Sequence, residues 1–311
     1  PTFLNEAEWS VWEREAKHIQ ASLTDAVIDS SLQDFPPEIY AIDGEWIAGR
    51  LKGRRENMLE IAREFYLLVS KDVDVIGTNK HDLFLVERLD DQRTRVQLFA
   101  SDKDGKQGEK VYDRTFLKGE TRSVNLYGLD QEDRFLIRGK AKEGIVIRCI
   151  GGLDNDIFED ESFVRNGGKL SKIYDTKTGN DLKLGEEAAN KTSNDPILNT
   201  YDRRNWDTEH NFGINYPVIA ANPDEGLVIG GGTIQTTYGF KKSPYASKHK
   251  IGAKVALETG GYDFTYSGEF IHAINHWDFL LNSIIQAPRF TRNYFGYGND
   301  TPNHLEAGDD L

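Results

Sequence analysis

The chain has 311 residues, with 38 Lys and Arg against 51 Asp and Glu, a formal charge of −13 that, without any basic stripe, argues against a nucleic-acid backbone as partner. A single cysteine, Cys149, excludes an intrachain disulfide and a cysteine metal cluster, and its place in the apolar alternation Ile145, Ile147, Cys149 marks it as a small buried hydrophobe. No apolar run approaches the roughly 18 residues of a membrane-crossing helix, and Pro1-Thr-Phe-Leu-Asn-Glu6 opens without a charged leader region, so a processed or truncated start is expected and a membrane β-barrel stays open.

Residues 5–32 carry Trp9, Trp12, Ala16, Ile19, Leu23 and Val27 at three- and four-residue steps, the stripe of an amphipathic helix that ends at Asp34-Phe-Pro36-Pro37. A second helical region is expected from about Asp43, read as its N-cap, with Ile47, Leu51, Met58, Ala62, Phe65 and Val69 on one face. Arg54-Arg55 falls on the opposite, solvated face, and Gly49 and Gly53 weaken the first half. From residue 82 the period becomes two. Leu83 and Leu85, then Val96 and Leu98, flank the turn Asp90-Asp-Gln-Arg93, and Lys103-Asp-Gly-Lys106 precedes Val111–Leu117. Gly128-Leu-Asp-Gln-Glu-Asp133-Arg-Phe135 resembles Gly152-Leu-Asp-Asn-Asp156-Ile-Phe158, a near-repeat 24 residues apart, each copy following a strand. That spacing suits one coil of a β-solenoid, or two related antiparallel hairpins, with Gly-Leu-Asp at the corners.

Residues 185–200 read as a polar linker. The expected domains are a helical connector over 1–80, a β-rich connector over 81–184, that linker, and a distinct segment over 201–311. The last segment holds 17 of the 34 aromatic residues. Tyr262, Phe264, Tyr266, Gly268, Phe270, His272 and Ile274 fall on one face of a long alternating strand, with Asp263, Thr265, Ser267, Glu269, Ile271, Ala273 and Asn275 on the other. Ile251, Ala253, Val255 and Leu257 oppose Lys250, Gly252, Lys254 and Glu258, and Phe212, Ile214, Tyr216 and Val218 form another apolar row. Turns at Asn222–Gly226, Gly260-Gly261 and Asn275-His276, and a loop over Gly239–Lys248, predict about five antiparallel strands over 208–288. Alternation over ten residues is what a tilted strand needs to cross a bilayer, and Tyr238, Tyr262 and Trp277 at strand ends suit its interfaces. Five strands cannot close such a barrel, so the chain is expected to be incomplete. A soluble β-sandwich is the competing architecture.

The run Tyr201-Asp-Arg-Arg-Asn-Trp206, Asn215-Tyr-Pro-Val-Ile219, Asn222-Pro-Asp-Glu-Gly226, Tyr238–Ser247 and Asn293-Tyr-Phe-Gly-Tyr-Gly-Asn-Asp300 resembles the start of the C-terminal barrel in BamA/TamA-like outer-membrane surface antigens. The branch it is most similar to carries an upstream calcineurin-like metallophosphoesterase domain. Its usual Phe-Gly-Leu-Gly-Asn-Glu segment stands here as Phe295-Gly-Tyr-Gly-Asn-Asp300, with departures at Tyr297 and Asp300. Pro37–Asp43, Val73–Thr78 and the two Gly-Leu-Asp segments extend the resemblance into the connector. It implies a mainly β fold with an N-terminal helical region, a solenoid-like or antiparallel connector, and an incomplete transmembrane barrel. The implied function is outer-membrane protein assembly or export, with the barrel in the outer membrane and the connector in the periplasm or at the cell surface. Outer-membrane lipid, nascent outer-membrane proteins and exported substrates are the implied partners. The phosphoesterase metal motifs are missing from this sequence, where Gly308-Asp309 is the only Gly-Asp pair, and Leu311 differs from the aromatic end usual in such barrels.

No catalytic, cofactor-binding or metal-ligating set emerges from the residues. Gly151-Gly-Leu-Asp-Asn-Asp-Ile-Phe158 approaches a calcium-binding nonapeptide, but its sister copy lies 24 residues away, so corner-forming Gly and Asp are expected before a calcium site. His272 and His276 straddle a strand end, Ser267-Gly268 lacks the strand-to-helix elbow of a nucleophile, and Lys248, Lys250 and Lys254 line a lumen or a solvated face. The alternative function is a secreted β-rich carbohydrate-active enzyme or carbohydrate-binding module, with the aromatic rows stacking sugars.

Overall fold

The computed structural model describes residues 6–166, 168–201, 211–222, 225–274 and 277–287. It is mainly β with helices at the N-terminus, and it divides into two compact units, 1–206 and 207–311.

The first unit begins with four helices. α1 (Trp9–Ser22) and α2 (Asp25–Leu32) stand where one helix was expected. The break is at Thr24, whose extended backbone and hydroxyl, accepting from the Val27 N–H at 3.3 Å, start a new helix. α3 (Pro37–Glu56) starts at Pro37, a residue with no amide to leave unpaired and φ already helical, so Asp43 lies inside the helix and does not cap it. A break at Asn57 leads to α4 (Met58–Val69). Trp9 and Trp12 pack on Tyr66 and Phe65 with ring centroids 5.5 and 5.8 Å apart, joining α1 to α4. Arg55 corrects the solvated-face reading: its side chain is 17 % exposed, pairs with Asp25 at 2.6 Å and donates to the Leu23 carbonyl, tying α3 to α2.

The β region opens earlier than expected, at β1 (Asp72–Ile76), and continues through β2 (Asp82–Arg88), β3 (Arg93–Ser101), β4 (Gln107–Leu117), β5 (Ser123–Leu129), β6 (Arg134–Ala141), β7 (Val146–Gly152), β8 (Ile157–Asp160), β9 (Phe163–Val164), β10 (Ser171–Tyr174), β11 (Asp181–Leu184) and β12 (Ala188–Asn190). One sheet has the order β1-β5-β7-β10-β12 and is parallel throughout. The other joins parallel β11-β8-β6-β2 to the antiparallel pair β3-β4, with β9 beside β6. Successive strands therefore alternate between sheets, and the chain winds as a coil with the β3–β4 hairpin inserted in its first turn. Tyr127 lies opposite Ile150 and Ile150 opposite Tyr174, so the coil repeats after 23 and then 24 residues. Gly128 accordingly matches Gly151, not Gly152 as the sequence alignment had it.

Between the sheets, inward residues at period two build one core that includes Val73, Val86, Leu126, Ile147, Cys149 and Ile173. Phe84, Phe135 and Phe158, at one register on three turns, stack with centroids 4.7 and 4.9 Å apart, the separation that neighbouring strands impose. At one end, Tyr66 of α4 is buried and its hydroxyl donates to Glu120, which also pairs with Arg63 at 2.7 Å. Residues 188–190 and the short helix α5 (Pro196–Asn199), within the stretch expected to be a linker, belong to this unit.

The second unit is an antiparallel meander of β13 (Phe212–Asn222), β14 (Gly226–Thr237), β15 (Ser247–Ala256), β16 (Tyr262–Ile274) and β17 (Trp277–Gln286), in sequence order. Its strands run 10 to 13 residues. No pairing of β13 with β17 occurs among the described residues, so the sheet is open at both edges. The expected motifs over 202–206 and 293–300, the turn at 275–276, and both chain ends lie outside the described residues.

Candidate functional site

Two places in the fold concentrate unusual chemistry. The first is one face of the meander. Register sets Ile251, Ala253 and Val255 of β15 beside Tyr266, Phe264 and Tyr262 of β16, and Phe264 and Phe270 beside Ile285 and Phe279 of β17. Val255, Tyr262, Phe264, Phe279, Leu281 and Ile285 are all exposed. Such a contiguous apolar surface is unusual on a protein meant for water alone. Toward one end it carries a ring cluster: His249 Nδ1 lies 2.9 Å from the Tyr266 hydroxyl, its ring meets Phe270 edge-on at 5.2 Å, and Phe270 lies 5.9 Å from Phe279.

The opposite face is polar over β15 and β16, whereas β17 places exposed Leu280 and Ile284 on it, opposite Glu269 and Thr265. Lys248, Lys250 and Lys254 lie opposite Glu269, Ser267 and Asp263 across β15 and β16, and Gln286 donates to Asp263 at 3.0 Å. The row Phe212, Ile214, Tyr216, Val218 lies on this polar face, because Tyr216 is opposite Gly232 and Gly232 opposite Gly252. β13 therefore reverses the alternation of β15 and β16. The Tyr216 hydroxyl end reaches across this glycine strip: a Cβ on Gly232 would collide with it. An aromatic ring laid over strand glycines covers backbone that would otherwise be bare. Pro217, opposite Gly231, leaves the edge strand without one amide.

The second place is the corner of the coil. Asp133 Oδ1 accepts the backbone N–H of Asp82 at 2.8 Å, Asp156 Oδ1 accepts that of Asp133 at 2.8 Å, and Asn180 Oδ1 accepts that of Asp156 at 2.8 Å. A ladder of side-chain oxygens thus satisfies the amides where each turn leaves its first sheet. Each carboxyl packs over the glycine that opens its own corner: a Cβ on Gly128 would collide with Asp133, and one on Gly151 with both Asp156 and Asp175. This close approach is why glycine stands there. In the fourth turn the equivalent position is Asp175, whose Oδ1 accepts from Asn199 Nδ2 at 2.9 Å; the same amide group donates to the Gly152 carbonyl. Asp133, Asp156 and Asp175 are fully buried, and their Oδ2 atoms have no donor among the described residues. Burial pushes Asp133 up to about 8 and Asp156 up to about 9, and raises Asp175 as well.

The Gly-Leu-Asp residues singled out from the sequence are thus at these corners, with Asp154 accepting from the Gln131 N–H at 3.1 Å. Among the described residues no group of three or more acidic, histidine or cysteine side chains has a metal-binding arrangement. His272 lies two residues before the end of β16, Ser267-Gly268 lies within β16, and His276 is outside the described residues. Sequence reasoning did not find Asp175, because its corner has Asp where the others have Gly. Nor did it find Arg88, buried with its guanidinium donating to the Ile145 carbonyl at 3.0 Å and to Ser171 at 3.2 Å, facing Asp160 and Glu187. A charge at the inward register of Phe84 and Val86 was the available signal. Comparison with family models, with curated proteins and with solved structures finds no match to the chain.

Proposed function

We propose that the second unit is the opening segment of an outer-membrane β-barrel and that the first is a non-catalytic connector preceding it, in a protein that resembles BamA/TamA-like assembly or export factors. The observation that carries this reading is the single-layered meander of 10- to 13-residue strands with an exposed apolar face over β15 to β17. About 9–11 residues cross a bilayer at the usual tilt, and the outer face of such barrels is an apolar band flanked by aromatic residues. The lysine-bearing face then lines a polar interior, where charges stay hydrated. Outer-membrane lipid is the first partner. Nascent outer-membrane proteins or exported substrates are the second, paired as added strands on an open edge such as β13, with Pro217 limiting pairing at its own position.

The alternative, a secreted carbohydrate-binding module or enzyme, stacks sugars on the same rings; a sandwich needs a second sheet, and the described residues of the second unit form one sheet. Fractionation separates the two. The protein should be found in outer membranes, and deleting residues 201–311 should release it to a soluble fraction. Recovery of the deleted form in outer membranes overturns the barrel assignment.

A further inference from the structure

Asp156 and Asp175 occupy two consecutive turns of the coil and meet over Gly151, where no side chain separates them. Each Oδ2 lies 2.1 Å from the point where a Gly151 Cβ would stand, so the two oxygens are no more than about 4.2 Å apart, and two carboxyl oxygens can bond to each other only through a proton. The other partners decide which residue holds it. Asp175 Oδ1 already accepts from the Thr176 N–H and from Asn199, the pattern of a carboxylate. Asp156 spends Oδ1 on the Asp133 N–H and has only Oδ2 left to offer, which suits an acid donating to Asp175. The next rung of the ladder is Asn180, an amide with the same shape as a protonated Asp: its oxygen accepts the Asp156 N–H, and its Nδ2 donates to the Thr176 carbonyl at 3.0 Å.

We propose that Asp156 and Asp175 form an acid–carboxylate pair sharing one proton, and that this proton makes the last turns of the coil, with the Asn199 tie to them, a pH-sensitive junction at the end of the first unit. Among the described residues, the groups facing the pair do not supply a counter-charge. They are Asp133 on the preceding turn, with Asp82, Asp130 and His81 beyond it, and the neutral Thr176, Asn180 and Asn199. When the proton leaves to solvent, two carboxylates remain in contact inside the coil, and the corner must open to admit water or a cation.

The sign follows from burial. The folded chain keeps a proton on Asp156, raised to about 9, that the unfolded chain releases near the ordinary aspartate value of about 4. Its contribution to stability is complete below about pH 4 and is lost as pH rises to about 9, by up to about tenfold in the folding constant per pH unit.

The test compares the whole chain with Asp156→Asn and Asp156→Ala by infrared spectroscopy and by thermal unfolding of the coil from pH 5 to 10. Asp156→Asn keeps both hydrogen bonds without needing a proton. It should lower the protonated-carboxyl absorption of the wild type at pH 7.5 by one group, leaving that of Asp133, and flatten the fall in stability with pH by about one proton. Asp133 titrates in both forms and cancels. Asp156→Ala should be less stable than Asp156→Asn at every pH; if it does not fold, the asparagine comparison stands alone. A wild-type pH profile unchanged by Asp156→Asn, no fall in the infrared absorption, or failure of Asp156→Asn to fold overturns the shared-proton pair.

Discussion

Arg88 shows what one buried charge does in the coil. Its guanidinium bonds Ile145, Ser162 and Ser171 and faces Asp160 and Glu187, so removing it leaves two acids inside without their counter-charge. Arg88→Ala should cost about 3–5 kcal/mol in chemical denaturation, the range for breaking a buried pair from one side. Glycine has opposite value at two positions. Gly128→Ala places a methyl against the Asp133 carboxyl and should destabilise by about 1–3 kcal/mol. Gly49→Ala, in open space within α3, should stabilise by up to about 1 kcal/mol. Equal effects of the two substitutions would contradict the corner packing described above.

At the scale of elements, the stacked Phe84, Phe135 and Phe158 hold the second sheet in register. Phe135→Ala, the middle ring, should lose about 3–5 kcal/mol, measured by the urea midpoint at unchanged slope. How legible these elements were depended on how local their signal was. Period-two alternation over 82–117 and 208–288 marked strands because each strand buries or exposes alternate residues regardless of its partners. The repeat at residues 128 and 152 was visible, but its offset came out one residue long. Leu129 and Gly152 lie opposite one another with positive φ (89° and 118°), so the corner follows a local irregularity that letters alone do not reveal. The first and fourth turns were hidden for different reasons: Gly77, which packs against Asp82 as Gly128 does against Asp133, is separated from its sisters by a hairpin, and Asp175 replaces the glycine. Among the helices, Thr24 outweighed a continuous apolar stripe, and Pro37 set a start that Asp43 had seemed to mark.

At the scale of the whole molecule, the two units differ in where their apolar residues go. The coil closes its own around a core, whereas the meander leaves a broad apolar face and two open edges uncovered. The sequence showed that strands of the second unit alternate, but not that β13 alternates in the opposite sense to β15 and β16, because relative facing depends on register between strands. If the face over β15–β17 meets lipid, a charge there acts by depth: Phe264→Arg should cost about 2–4 kcal/mol of membrane stability, and Thr265→Arg on the opposite face much less. The most direct measurement places single cysteines at 263–267, labels them with a fluorophore, and reads quenching by brominated lipid after reconstitution of the protein into vesicles. Quenching at 264 and 266 with little at 263, 265 and 267 is expected of a strand whose aromatic face meets the bilayer; equal quenching along the strand, or none, contradicts it.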